Sequence, residues 1–235
     1  MCEGKSCPEG VPSGLIIRHP FVNLTGQARR PPSFWYTRSV ATYEVLWLKG
    51  TDQVSQAAGV TARALRDNPS TVAVSGDPLV RLEMMHSTFA GMLSEARVAG
   101  VRRGRTVLGA AGAVPPGACI DAMLPPEVRT LDVPGPEATD ADRFLHLGSV
   151  LAAHDLLEPH WHVGPVGVEP GFQGMGMGRA AMRLLCDEFD QHHRLAWLET
   201  DKPENVRFYS GLGFDVVEEI PLLSARNWFM RREPQ

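Results

Sequence analysis

Apolar positions recur along this chain in two rhythms, and each marks a different kind of element. Thr42-Tyr-Glu-Val-Leu-Trp-Leu48 alternates and carries β-branched and aromatic residues, which predicts a first strand. Asp52 then caps a predicted helix that runs through Val54, Ala58 and Leu65 and stops before Asn68-Pro69. A second helix opens with Asp77 at the cap and Pro78 at its first position, with Leu79, Leu82, Met85, Phe89 and Leu93 at steps of three and four. Thr106 to Val114 reads as a strand of small residues, a sign that something packs closely against it. A proline-rich loop over 119–136 leads to a helix from about Thr139 to Leu157, whose apolar positions are Phe144, Leu147, Val150, Leu151 and Leu157.

The C-terminal part keeps the same alternation of elements. Val166 and Val168 mark a strand, Pro170-Gly171 stops it, and Ala180 to Phe189 continues as an amphipathic helix. Leu195 to Thr200 is a further strand, and Asp201 to Gly211 a short helix with Pro203 in its first turn, after which Leu212-Gly-Phe214 enters another strand. Residues 1–40 differ, being rich in Gly, Pro, Ser and Arg with no sustained period. They are expected to be a partly disordered N-terminal extension to one domain over 41–235.

Composition narrows the function by exclusion. A formal net charge of −4 argues against general nucleic-acid binding and suits a cationic substrate weakly. No apolar run approaches the roughly 18 residues of a spanning helix, and the first residues lack the apolar core of a signal peptide, so a cytoplasmic protein without membrane contact is expected. The cysteines Cys2, Cys7, Cys119 and Cys186 form neither a C-x-x-C pair nor a disulfide framework, and no metal is expected. His192-His193 looks like a zinc pair, but neighbours on a helix face different ways, and a helix-end role is the better reading.

The most informative stretch joins the Val166 strand to its helix through Gln173-Gly-Met-Gly176-Met-Gly178-Arg179. Glycines at a helix N-terminus expose unpartnered N–H groups, add the positive end of the helix dipole, and let a phosphate approach the backbone. Arg179 and Ala180 stand where a P-loop needs Lys and Ser or Thr, so a nucleoside triphosphatase is not indicated. A dinucleotide fingerprint would be expected to open a large doubly wound domain, not to come this late in the sequence.

Gln173-x-x-Gly176-x-Gly178 resembles the Q/R-x-x-G-x-G/A signature of the GNAT superfamily of acetyl-coenzyme A-dependent N-acyltransferases. The run Asn205-Val-Arg-Phe208-Tyr209 through Gly213-Phe214 resembles the second acetyl-coenzyme A motif of the same superfamily, and with Leu198-Glu-Thr200 and Trp228-Phe-Met230 is closest in wording to puromycin-type small-molecule acetyltransferases. The likeness covers roughly residues 163–231. It implies an α/β (α+β) GNAT fold, a mixed and mostly antiparallel sheet of six to seven strands flanked by helices and splayed at its two central parallel strands.

The resemblance also implies the site. Backbone groups of Val166, Gly167 and Val168 would pair with the pantetheine arm, and N–H groups of Gln173, Gly174, Met175, Gly176, Met177, Gly178 and Arg179 would hold the pyrophosphate of acetyl-coenzyme A. Tyr209 matches the tyrosine that donates a proton to the departing thiolate, and Asn205 either contacts pantetheine or caps its helix. For the general base, Glu199 and His162 are rivals, with Glu199 alternatively a structural partner of Arg207 or Arg194 and His162 a solvated residue at the strand end. The expected reaction is direct acetyl transfer to a primary amine of a small molecule, by a monomer or homodimer. A protein N-terminal or lysine acetyltransferase, or a non-catalytic acyl-coenzyme A sensor, stays open.

Overall fold

The computed structural model describes residues 43–118 and 124–235. The expected extension over 1–40 lies outside them. Among the described residues seven strands form one sheet in the order β1-β2-β3-β4-β5-β7-β6. They are β1 (Glu44–Trp47), β2 (Arg97–Arg103), β3 (Thr106–Val114), β4 (Trp161–Val168), β5 (Ala196–Thr200), β6 (Asp215–Leu222) and β7 (Ala225–Arg232). All neighbours run antiparallel except β4 and β5.

Among the described residues six α-helices connect them: α1 (Thr51–Leu65), α2 (Pro69–Val74), α3 (Pro78–Glu95), α4 (Asp140–Ala153), α5 (Met177–Gln191) and α6 (Pro203–Ser210). Helix α5 buries Ala181, Met182, Leu185 and Phe189 in the main core with Trp161, Leu198, Phe214 and Met230. Its apolar side chains recur at helical spacing, so one face is dry and the other wet. A second cluster joins Ala57, Ala58 and Val60 of α1 and Leu93 of α3 to Val98, Val107 and Ala110 of β2 and β3.

The small residues of β3 are there because α3 and β4 leave no room. A Cβ at Gly112 would lie 2.5 Å from Leu93 Cδ2 and 2.9 Å from the carbonyl oxygen of Gly164. Three sequence expectations shift at their ends. Helix α1 is capped at Gly50 and not at Asp52, whose carboxylate accepts from Gln56 one turn on. Leu79 is exposed while Arg81 is buried, because Arg81 donates to the carbonyls of Arg66, Ser75 and Gly76 and pairs with Asp67 at 2.8 Å. Helix α4 starts as expected, with Thr139 and Asp142 forming a reciprocal capping box, but ends at Ala153 and leaves Leu157 in solvent.

Candidate active site

The parallel pair at the centre of the sheet is short. β4 and β5 are in register only at Trp161↔Ala196 and His162↔Trp197. Further along, β4 stays paired with β3 alone, through Val163, Val166, Gly167 and Val168, with a bulge opposite Ala111 and Ala113. The two strands therefore part, and a cavity of about 280 Å³ opens in the gap. Glu199, Thr200 and Asp201 from β5 and its end, Asn205 and Tyr209 from α6, and Gly164 to Val166 from β4 line one side. Met85, Phe89 and Met92 of α3 with Phe144, Leu147 and Leu151 of α4 form an apolar wall across from them. A larger cleft of about 580 Å³ lies between α1 and the ends of β3 and β4, but it contains none of Tyr209, Glu199 and His162.

At the far end of β4 the chain makes the glycine turn. Gly174 and Gly176 have φ of +75° and +82°, a region that residues with a Cβ enter only under strain, and Gly176 is the N-cap of α5. No atom lies within 4 Å of where a Cβ would stand at either position, so the turn faces open space. The first N–H groups of α5, from Met177, Gly178 and Arg179, have no intrahelical partner there. Gln173 Nε2 donates to the Val168 carbonyl at 3.1 Å and closes the turn onto the end of β4. The Arg179 side chain leaves the turn altogether. Its Nη1 donates to the Gly211 carbonyl at 3.0 Å and ties the start of α5 to the end of α6. Gly167 has a different reason to lack a side chain, because a Cβ there would lie 2.9 Å from Ala64 Cβ of α1. An open, positively polarised helix start beside an unpaired strand edge fits a pyrophosphate and its extended arm.

Near the base of the gap the structure joins the two rivals for general base. His162 Nε2 lies 3.1 Å from Glu199 Oε2 and 3.4 Å from Oε1. His162 Nδ1 lies 3.4 Å from Asp155 Oδ1, and His160 Nε2 lies 2.9 Å from the same oxygen. The side chains of Asp155, His160 and His162 are all at most 2 % exposed. Only Glu199 of the group reaches the cavity. His162 is thus no solvated strand end, and Glu199 pairs with it and not with Arg207 or Arg194. Burial alone would push the imidazole of His162 down, but Glu199 and Asp155 outweigh it and raise its pKa to about 10. Burial pushes the Asp155 carboxyl up, and the two histidines overcome it, holding the group well below the carboxylate range. Asp155 and His160 carry no motif that the sequence could advertise; a histidine two residues before His162 was the sole signal.

Tyr209 is buried edge-on between Phe208 and Phe214, with ring centroids 5.0 and 5.9 Å away. Burial first, then the charges of Glu199 and Asp201, push its phenol well above the ordinary value and keep it protonated. Asn205 does not cap α6, since its Nδ2 donates to Thr200 Oγ1 at 3.1 Å and fastens the helix to β5. Asp201 accepts from Asn68 Nδ2 and from the Ser70 N–H, fixing α2 over the cavity.

Residues 143–214 match the model of the acetyltransferase (GNAT) family. The fold recurs in solved structures of low identity. A polyamine N-acetyltransferase of Drosophila melanogaster that forms N-acetylagmatine shares 16 % identity, with a TM-score of 0.60 over 82 % of this chain and 100 % of its own. A Corynebacterium glutamicum protein described as histone acetyltransferase HPA2 and related acetyltransferase shares 15 %, with a TM-score of 0.58 over 83 % and 97 %. The PaiA N-acetyltransferase of Thermoplasma acidophilum in complex with coenzyme A shares 9 %, with a TM-score of 0.51 over 82 % and 99 %.

A mixed sheet parted at its parallel strands, with a glycine turn at a helix start, is the GNAT fold. Residues 143–214 carry the likeness to that family, and with the fold around them they mark an N-acetyltransferase that takes acetyl-coenzyme A as its acyl donor. No helix among the described residues is long and apolar enough to cross a membrane.

Proposed function

We propose that the protein transfers the acetyl group of acetyl-coenzyme A to a primary amine of a small molecule, by direct attack in a ternary complex. The observation that carries this reading is the cavity in the β4–β5 gap, whose charged lining groups are the carboxylates Glu199 and Asp201 and whose opposite wall is apolar. A protonated amine is attracted to such a floor, while the wall takes an organic body. The puromycin-type wording of the C-terminal run, and the small amines acted on by the Drosophila neighbour, support a small acceptor over a protein tail.

Backbone groups of Val166, Gly167 and Val168 hold the pantetheine arm, and N–H groups from Gln173 to Arg179 take the pyrophosphate, with Asn205 beside the arm. When bound, the coenzyme supplies a thioester whose carbonyl carbon the amine can attack. Glu199 takes one proton from the bound ammonium, directly or through one water, and so frees the lone pair that attacks; the second proton leaves to solvent as the new N–C bond becomes an amide. Tyr209, neutral and buried, gives its hydroxyl proton to the sulfur as the C–S bond breaks. Incubation with acetyl-coenzyme A and a broad panel of amines, read by mass spectrometry, tests the reading. Acetylated small amines with stoichiometric release of free thiol are expected. Coenzyme binding with no acceptor modified would indicate a sensor, and modification confined to peptides would indicate a protein acetyltransferase.

A further inference from the structure

Asp155, His160 and His162 line no part of the cavity, yet they are buried together directly behind the one carboxylate that the reaction reading uses as its base. Ring chemistry constrains what His162 can be there. Each of its nitrogens lies close to a carboxylate oxygen: Nε2 is hydrogen-bonded to Glu199 and comes within 3.1 Å of its Oε2, while Nδ1 meets Asp155 at 3.4 Å as a charge contact without hydrogen-bond alignment. A neutral imidazole has one N–H, so it would turn a lone pair towards one of the two anions, with its side chain only 1 % exposed. Two N–H groups between two carboxylates remove the conflict. His160 shares the same carboxylate: its Nδ1–H donates to the Glu158 carbonyl at 2.8 Å, and its Nε2 stands 2.9 Å from the Asp155 Oδ1 that also meets His162.

We propose that Asp155 is a positioning residue of the acetyl transfer: it holds His162 as an imidazolium whose Nε2–H clamps Glu199, so that the carboxylate faces the cavity ionised and in one orientation. The proposal rests on Glu199 serving as proton acceptor. It also decides between the two candidates for that role, because an imidazolium has no lone pair with which to accept the proton of an amine. The groups facing His162 are Asp155 from the turn after α4, Glu199 from β5 and His160 along its own chain, while Val114 opposite it on β3 carries no charge. Removing Asp155 leaves the imidazolium with one anion in place of two and favours loss of its proton. Glu199 then loses both its clamp and the positive charge beside it.

Two measurements test this. In Asp155→Asn, kcat for the amine should fall about ten- to a hundredfold with KM for acetyl-coenzyme A unchanged, and the acid limb of the kcat/KM profile should move to higher pH. Asp155→Glu, which restores the anion, should recover part of the loss. An Asp155→Asn profile that overlays the parent overturns the proposal. The second measurement needs no variant and no turnover, so it separates a failure of the clamp from a failure of the reaction reading. In the nitrogen-15-labelled parent at pH 8, both ring nitrogens of His162 should report attached protons. One bare nitrogen at that pH overturns the proposal. So does a stoichiometric divalent metal removable by chelator, because Asp155, His160 and His162 present donor atoms within 4.8 Å of one another and Nδ1 would then be a ligand.

Discussion

The two ends of β4 solve opposite problems. Beyond Val168 the glycine turn is made of backbone, faces open space, and presents the unpartnered N–H groups of a helix start, which suit an anion. Around His162 the structure is made of side chains, is closed to water, and holds two formal negative charges against an imidazole. At the backbone end any side chain at Gly174 or Gly176 is strained, because their φ values are positive. The side-chain end depends on four residues from three segments, any of which can be replaced without breaking a main-chain path. In the proposed reaction, recognition of the coenzyme therefore rests on backbone geometry, while proton handling rests on electrostatics.

The sharpest way to break that contrast is Gly176→Asp. It forces a Cβ into a left-handed position and puts a carboxylate where the pyrophosphate is to sit, so coenzyme affinity by calorimetry should fall at least a hundredfold. Unchanged affinity would mean the turn is not the phosphate site. Tyr209→Phe acts at the other end of the gap and should lower kcat about ten- to a hundredfold with coenzyme affinity kept. If coenzyme affinity falls and kcat does not, the phenol packs the arm and donates nothing.

A third variant, away from both ends, separates stability from function. Arg232, 3 % exposed at its side chain, makes a two-pronged pair with Asp190 at 2.7 and 2.8 Å, and Arg232 with the Gln235 N–H holds the Asp190 carboxyl below its ordinary value. Asp190→Asn should cost about 2 kcal/mol near neutral pH. A depressed carboxyl contributes stability above its unfolded pKa of about 3.9 and loses it as pH falls through the lower folded value. The gap in Tm between parent and variant should therefore be constant from pH 7 to 5 and narrow below about 4. Smallest of all, Leu157→Ser should leave stability within about 0.5 kcal/mol, because that leucine is exposed next to the buried Asp155 turn and packs on nothing.

What the sequence made legible follows the same division. Backbone-built features leave a residue-type signature at fixed spacing, so the turn at Gln173 to Gly178 and the Pro203-started helix with Asn205 and Tyr209 were readable in place. Side-chain networks leave none. Glu199 and His162 each had a reason to be noticed, but their pairing joins residues 37 apart, and Asp155 sits in a turn with no periodicity. The short helix α2 and strand β2 were not read either: Ser70 and Thr71 are buried polar residues, and β2 is apolar only through Val98, Ala99, Gly100 and Val101. Leu79 and Leu157 show the converse. Helical spacing put them on an apolar stripe, and an arginine that took the inside position and an early helix end left them in water.

The crowding beneath α3 has a use for anyone who wants to change what this protein accepts. Leu93 rests on the bare backbone of Gly112, and the same helix carries Met85, Phe89 and Met92 over the cavity. The height of that ceiling is set from below, by a side chain that is missing. A methyl group added at 112 would meet the end of the Leu93 side chain at 2.5 Å and the Gly164 carbonyl of β4 at 2.9 Å, so the strain would fall on two elements that border the cavity while the cavity's own side chains stay the same.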